Sequence, residues 1–385
     1  MKASTKAYRR FNVTFLAFVL PGLTTIGLFN ALVDPYGVVN SPQLSRVNEL
    51  KPEQYHHARL FKAVGVMHNK PKNLLLGSSR SDLGLDPDHR ALADGTTYNL
   101  ALVGPNMYEV RRYFEHALAN QPEVKTVVLG IDFFMFNENW KNSPDFDENR
   151  LGQEKLNIQD AINISFSTDA LKSSKRTIKS SLDSDAYYLY RANGLRYVYG
   201  NEPDEPLANK FEKMISGFLE GERSYTNFKF SPSFLDDFKQ VVETCRQRNI
   251  ELKIFISPLH ASHLEAIKTA GMWSELENWK RQVVEITPVW DFSGYNSITT
   301  EPINENMKNY WDSSHYRKEV GDLILNRLFQ IQEESVPKDF GNFLTAENIE
   351  QQLAKKQAER EIWENNNPNL VQLVQDLKRK ADRNT

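Results

Sequence analysis

The stretch Phe11–Val33, FNVTFLAFVLPGLTTIGLFNALV, runs for 23 residues without a charge. As a helix rising 1.5 Å per residue it would extend about 34 Å, enough to cross the hydrocarbon core of a bilayer with some tilt. Lys2, Lys6, Arg9 and Arg10 precede it and Asp34-Pro35 ends it. Basic flanks stay on the cytoplasmic side, so everything after Asp34 is expected outside the cytoplasm. Pro21 is tolerated in a membrane helix. A cleaved signal peptide shares the basic head and apolar middle, but this run is long for one, and Phe29-Asn30-Ala31 makes a poor small-x-small cleavage site. The expectation is an uncleaved single-pass anchor, residues 1–33, with its N-terminus cytoplasmic and the lipid bilayer contacted through residues 11–33. A buried soluble helix would not need this charge asymmetry.

Residues 34–70 read as a polar linker followed by a leading helix, Tyr55–His68, with Leu60, Phe61, Val64 and Met67 at helical spacing. From residue 71 to about 335 the chain alternates short apolar runs with helical patterns, the signature of βαβ units and a parallel sheet. Strands are predicted at Asn73–Leu76, Thr97–Leu100, Lys125–Ile131, Glu251–Ile256 and Val289–Phe292, and a helix over Gly104–Ala119 puts Met107, Val110, Phe114 and Leu118 on one face. This predicts an α/β fold, three-layer and flavodoxin-like, with about five parallel strands and its switch point beside the first strand, where ligands bind.

Residues 133–230 interrupt the alternation. They are rich in aromatics, among them Trp140, Tyr187, Tyr188, Tyr190, Tyr197 and Tyr199. A structureless loop of that length is uncommon in a compact domain, so a partly helical insertion is expected, overhanging the site as a cap. Its aromatics could stack on sugar rings, although packing a small subdomain core is the plainer reading. Residues 336–385 form a charged helical tail. Thr345–Trp363 and Leu370–Ala381 are helical, with Leu370, Leu373, Val374 and Leu377 as a stripe for docking on the domain or a partner.

With 47 basic and 50 acidic residues the formal net charge is −3, which leaves no electrostatic footprint for nucleic acid. The single cysteine, Cys245, cannot form an intramolecular disulfide and falls in a helical pattern, Asp236–Arg248, as a small core residue. No Cys/His cluster has zinc spacing. His56 and His57 are adjacent on a helix, about 100° apart, and read as solvated surface. His260 and His263 in SPLHASH could face one side and contact substrate or a metal, but without carboxylate support they read as structural. No metal and no cofactor are expected.

Two short stretches carry chemistry. In Asn73–Asp82, NLLLGSSRSD, an apolar run ends in Gly77 and two serines, which would set Ser79 in the crevice above the sheet. A serine hydroxyl needs a neighbouring base to take its proton. Among eight histidines His315 stands out: in Trp311–Tyr316, WDSSHY, Asp312 precedes it by three, and the stretch follows the fifth strand at the same sheet edge. An orienting carboxylate and a general base would then arrive together on one turn. Arg80 could bind an anionic substrate or, the preferred reading, pair with Asp82.

Together, Gly77-Ser78-Ser79 and the D-x-x-H resemble the SGNH (GDSL-like) hydrolase superfamily, in particular its membrane-anchored extracytoplasmic branch, which includes the teichoic-acid D-alanylation and alginate O-acetylation proteins. The resemblance runs from about Pro71 to Leu328, apart from the insertion. It implies Ser79 as nucleophile with Asp312 and His315 as its partners. It also implies an oxyanion hole of the Ser79 N–H, the Gly104 N–H and an asparagine side chain after the third strand. This chain has Asp132 there, and an ionised carboxylate accepts hydrogen bonds and repels an oxyanion. Asn99 or Asn106 could supply the amide instead. The implied function is a serine esterase or O-acyltransferase acting on a (poly)saccharide or cell-envelope ester. Its ligands would be an acylated saccharide or a membrane-derived acyl donor, with a membrane-bound O-acyltransferase as partner. The alternative is a non-catalytic assembly or binding protein of a cell-envelope polysaccharide system; Asp132 favours it, whereas the intact Ser79, Asp312 and His315 favour the enzyme.

Overall fold

The computed structural model describes residues 2–183, 189–198 and 205–384. Tyr187, Tyr188 and Tyr199 lie outside the described residues. The chain begins with helix α1 (Lys2–Val33), then α2 (Ala58–Asn69), strand β1 (Asn73–Leu76), α3 (Ser79–Gly84), β2 (Thr97–Asn99), α4 (Met107–Asn120) and β3 (Thr126–Ile131). Next come α5 (Ile158–Phe166), α6 (Thr168–Asp183), α7 (Leu207–Leu219), α8 (Pro232–Gln247) and β4 (Glu251–Ile256). The last part holds α9 (Ala261–Thr269), α10 (Trp273–Ile286), β5 (Val289–Asp291), α11 (Lys318–Phe329), β6 (Asn342–Leu344), α12 (Ile349–Asn366) and α13 (Pro368–Asn384).

The strands of the described residues form one mixed sheet in the order β2-β1-β3-β4-β5-β6. The first five are parallel, each at or within one residue of its expected limits. The expectation of a purely parallel sheet needs correcting: β6 joins antiparallel to β5, with Trp290 opposite Phe343. Its three residues carry no alternation to announce them, and only the return of the tail brings them to the sheet edge. Both sheet faces are covered, because alternate residues enter different cores. Leu74, Leu76, Val127 and Leu129 join α4 and α8, while Leu75, Val128 and Phe255 join α11. This double burial explains why the strands read as continuous apolar runs.

The chain runs from β1 to β2 on one side and returns to β3 on the other, so the switch point lies between β1 and β3. Gly77 makes the turn there. Its φ is +144°, and a Cβ would sit 2.4 Å from Ser81 Oγ and 2.8 Å from Gly130 O. No other residue type could bring α3 so close to β3.

The stretch after α1 is no loose linker. Asp34 takes a left-handed φ of 46°, and its Oδ1 accepts from the Val38 and Val39 N–H groups at 2.8 and 3.1 Å. Asn48 Nδ2 donates to Leu32 O at 3.0 Å, and Lys51 Nζ donates to Val33 O and Asp34 O at 3.2 and 2.6 Å. These groups satisfy carbonyls that every helix end leaves open, so the segment wraps the end of α1.

The described residues of the insertion are partly helical, and their helices pack at separate places and do not form a single cap over the site. α5 and α6 pack against the end of α1, and α7 packs against α9 and α13. Asn193 O accepts from the Asn99 N–H at 2.9 Å, which covers the open edge of β2. Trp140 stacks on Phe218 and tilts against Phe134, and Tyr190 is buried, so these aromatics pack core; Tyr197 is 46% exposed. In the tail, Val374 and Ala381 of α13 are buried against Ile215 and Ala266, so the stripe docks on the domain. Cys245 is buried, as expected, and burial pushes its thiol up to about 12.

α3 and α11 approach backbone to backbone. A Cβ on Gly321 would lie 1.7 Å from Gly84 O, and one on Gly84 would lie 2.0 Å from the Tyr316 ring. Gly321→Ala must therefore push the two helices apart. A loss of about 1–3 kcal/mol or more in unfolding free energy is expected, read by urea denaturation.

Candidate active site

Ser79 opens α3, one residue past its cap. Ser78 is the N-cap, and its Oγ accepts from the Arg80 N–H at 3.2 Å. This leaves Ser79 half-buried at the carboxyl edge of β1. Across the switch point, Tyr310 and Tyr316 pair as an antiparallel bridge and the Trp311 N–H donates to His315 O at 2.8 Å. Between them Asp312 Oδ1 accepts from the Ser314 and His315 N–H groups at 2.7 and 2.9 Å. The turn is thus closed on its own aspartate, which brings the carboxylate beside the imidazole.

Ser79 Oγ lies 2.8 Å from His315 Nε2, and His315 Nδ1 lies 2.8 Å from Asp312 Oδ2. Asp312 is 1% and His315 7% exposed. The carboxylate accepts the Nδ1–H, so Nε2 is left as the acceptor that faces the serine hydroxyl. Chemically, this arrangement can deprotonate Ser79 as it attacks and return the proton to a leaving group. The three residues singled out from the sequence come together at hydrogen-bonding distance across 236 residues of chain.

Arg80 does not pair with Asp82 as expected. Its Nη1 lies 2.5 Å from Asp132 Oδ1, and its Nε and Nη2 donate to Ser314 Oγ at 3.0 and 2.9 Å. Ser78 Oγ donates to the other oxygen, Asp132 Oδ2, at 2.5 Å, and the guanidinium lies over the Phe134 ring. One buried cation thus joins the start of α3, the end of β3 and the His315 turn. It also compensates the Asp132 charge that the sequence left facing the site. Arg80 is 2% exposed, so it presents no open anion-binding surface.

Asp82 points into the interior beneath α3. Lys62 Nζ donates to its Oδ1 at 2.7 Å, Arg196 Nε lies 3.0 Å from its Oδ2, and Tyr190 OH donates to Oδ2 at 3.0 Å. Lys62 also donates to Asn99 O and Gly194 O. The insertion segment Tyr190–Arg196 therefore braces α3 from below. No local pattern announced these partners, because each lies twenty or more residues from Asp82.

Neither candidate asparagine has an amide free for an oxyanion. Asn99 Nδ2 donates to Ser81 O and Leu85 O, both at 2.9 Å, and fastens α3 to the sheet. Asn106 caps α4 through its Oδ1, and its Nδ2 donates to Trp140 O and Asn142 Oδ1. Gly104 adopts φ +54° in the loop after β2, and that loop lies beside the Gly77 turn, because the Leu102 N–H donates to Gly77 O at 3.0 Å. Arg59 Nη2 donates to Val103 O at 3.2 Å, which orients the peptide carrying the Gly104 N–H.

His260 and His263 are buried supports. His260 caps α9, its Nε2 donates to Glu301 O at 2.9 Å, and its N–H donates to Ser313 O at 3.2 Å. His263 Nδ1 lies 3.0 Å from Ser313 Oγ, and its Nε2 lies 2.9 Å from Tyr225 OH. Both hold the His315 turn from behind. Burial pulls His260 down to about 4, and burial reinforced by the Arg80 charge pushes His263 well below the ordinary imidazole range. Among the described residues no cluster of three or more His, Cys, Asp or Glu side chains is arranged to hold a metal.

Comparison with protein-family models, with curated proteins and with solved structures finds no match to this chain.

Two of these buried groups should report on stability, Arg80 first. Arg80→Met leaves Asp132 buried without its ion partner and should lower the unfolding free energy by about 3–5 kcal/mol, with part of the loss recovered in Arg80→Met/Asp132→Leu. The second concerns pH. Below about pH 6.5 the unfolded chain protonates His260 while the fold keeps it neutral, so stability should fall between about pH 6.5 and about 4. The contribution of this one group is on the order of 3 kcal/mol. His260→Asn, which retains a capping side chain, should flatten that part of the stability-against-pH curve.

Proposed function

We propose that this chain is a membrane-anchored, extracytoplasmic serine esterase or O-acyltransferase with an SGNH-like, flavodoxin-like domain, acting on an ester of a saccharide or of the cell envelope. The observation that carries the reading is the unbroken relay from Ser79 Oγ through His315 to Asp312, with both links at 2.8 Å. Ser79 Oγ attacks the ester carbonyl, and His315 Nε2 takes the serine proton. The ester C–O bond then breaks, and His315 returns the proton to the departing alcohol oxygen. Water or a sugar hydroxyl attacks the acyl-serine in the second half and gives its proton to His315; the acyl C–Oγ bond breaks, and His315 returns that proton to Ser79 Oγ. Asp312 orients the imidazole and stabilises its protonated form. The Ser79 and Gly104 N–H groups are the proposed oxyanion donors. An amide donor from the third strand is missing, a difference worth about 2.7–4 kcal/mol in enzymes that use one.

The N-terminal helix is long and apolar enough to span a membrane. The basic residues before it favour a cytoplasmic N-terminus and an extracytoplasmic domain. An anchored enzyme suits an acyl donor or acceptor made at the membrane, and a membrane-bound O-acyltransferase is a fitting partner. The second reading, a non-catalytic assembly protein, draws support from Asp132 and from the commitment of Asn99 and Asn106 to structural bonds. The full chain in detergent, treated with a fluorophosphonate probe, separates the two. Labelling of the wild type that is lost in Ser79→Ala and in His315→Ala is the expected result. A folded wild type that takes no label would defeat the enzyme reading.

A further inference from the structure

We propose that α5 and the outward face of α6 form a membrane-seating platform, with α5 lying along the lipid headgroup–acyl boundary on the domain's side of the bilayer. The inference rests on the reading of α1 as an anchor and adds to it a second, surface contact with phospholipid.

The depth of the contact carries the argument. Asn30 Nδ2 donates to Ser165 O at 2.8 Å, and Asn30 Oδ1 accepts from Ser174 Oγ at 2.8 Å, so α5 and α6 grip the last turns of α1. The Phe166 ring lies against Gly27, where an added Cβ would be 2.6 Å away. Counted along the helix from Phe11, Gly27 lies about 24 Å and Asn30 about 28 Å into the apolar run. A hydrocarbon core is about 30 Å thick. A helix that touches α1 at Gly27 therefore sits at the outer boundary of the core and cannot stand clear of the membrane.

The surface of α5 has the chemistry this position requires. Ile158, Ile162 and Phe166, four residues apart and so on one side of the helix, are 80%, 48% and 47% exposed. Ile164 faces the protein instead, and the helix's one charged side chain, Asp160, is buried against Arg150. In water such a face would be a liability, whereas at a lipid boundary it is satisfied. Val39 and Leu44, in the segment wrapping the end of α1, add exposed apolar surface. On α6, Lys172, Lys175 and Lys179 point outward, beside Arg176, whose Nε is paired with Glu53 Oε1 at 3.0 Å, and against exposed Asp169 and Asp183 at the two ends of the helix. This basic row complements anionic headgroups. An apolar strip flanked by lysines fits a phospholipid surface better than a second soluble protein.

The test uses the full chain, one copy per nanodisc of phosphatidylcholine and phosphatidylglycerol in equal amounts. Ile158→Cys, Ile162→Cys, Phe18→Cys in α1 and Lys239→Cys at an exposed position of α8 each carry an environment-sensitive fluorophore; Cys245 is buried and does not compete. Quenching is read with nitroxide phospholipids of graded depth. Labels at positions 158 and 162 should lose most of their emission to shallow nitroxides and little to deep ones, position 18 should respond to deep nitroxides, and position 239 to neither. Quenching at 18 with none at 158 and 162 would overturn the platform while leaving the anchor standing. No quenching at 18 would overturn the anchor itself, and with it the depth argument. Position 158 and 162 labels that stay bright in single-copy discs but cross-link between copies at higher occupancy would assign the face to a second copy instead.

Discussion

The buried guanidinium of Arg80 is the group on which the site depends. It follows Ser79 directly and reaches both the carboxylate at the end of β3 and the hydroxyl of Ser314 inside the His315 turn. Three chain segments that meet only in the fold are thereby registered by one rigid, planar donor set. A lysine would supply the charge but not the fork, and so could not hold Asp132 and Ser314 at once. The pair is also almost fully removed from water, which makes removal of either partner costly. Asp132, an obstacle to an oxyanion when read alone, becomes the counterion that keeps this cation in place.

Around that centre the remote parts of the chain act as braces. The insertion supplies Tyr190 and Arg196 beneath α3, and the leading helix supplies Lys62 to the same carboxylate, Asp82. The tail is equally integral. Lys356 of α12 reaches Asp291 at the end of β5 at 2.8 Å, and Lys280 of α10 meets the same carboxylate at 2.8 Å. Burial alone would raise the pKa of Asp291, but these two ammonium groups hold it well below the usual carboxylate range. Helix α1 ends in a folded wrap and packs on α5 and α6, which ties its last turns to the domain.

Much of the sheet was legible in advance because a strand buried on both faces leaves a mark in its own residues. NLLL, TVVLGI and ELKIFI are continuous apolar or amphipathic runs bounded by turn residues, and each formed a strand. β6 left no such mark, since its three residues depend on β5 for their pairing. The Asp312–His315 pair was legible because both residues share one turn. The use of Arg80 was not, because its nearest acid in sequence, Asp82, is drawn away by Lys62 and Arg196. Proximity in sequence predicted the wrong partner where helix geometry turned the two side chains to different sides.

The sequence alone determined the apolar helix at the N-terminus, the alternation of strands and helices, the breaking of β1 at Gly77, and the pairing of Asp312 with His315. All of these are local consequences of hydrophobic period, backbone freedom and short-range hydrogen bonding. Tertiary structure alone decided that Ser79 meets His315, that Asp132 answers Arg80, that Asn99 and Asn106 hold backbone, and that the insertion grips α1. Those outcomes depend on which side chains arrive in the same low-dielectric volume, where each buried charge or amide must find a partner whatever its distance along the chain.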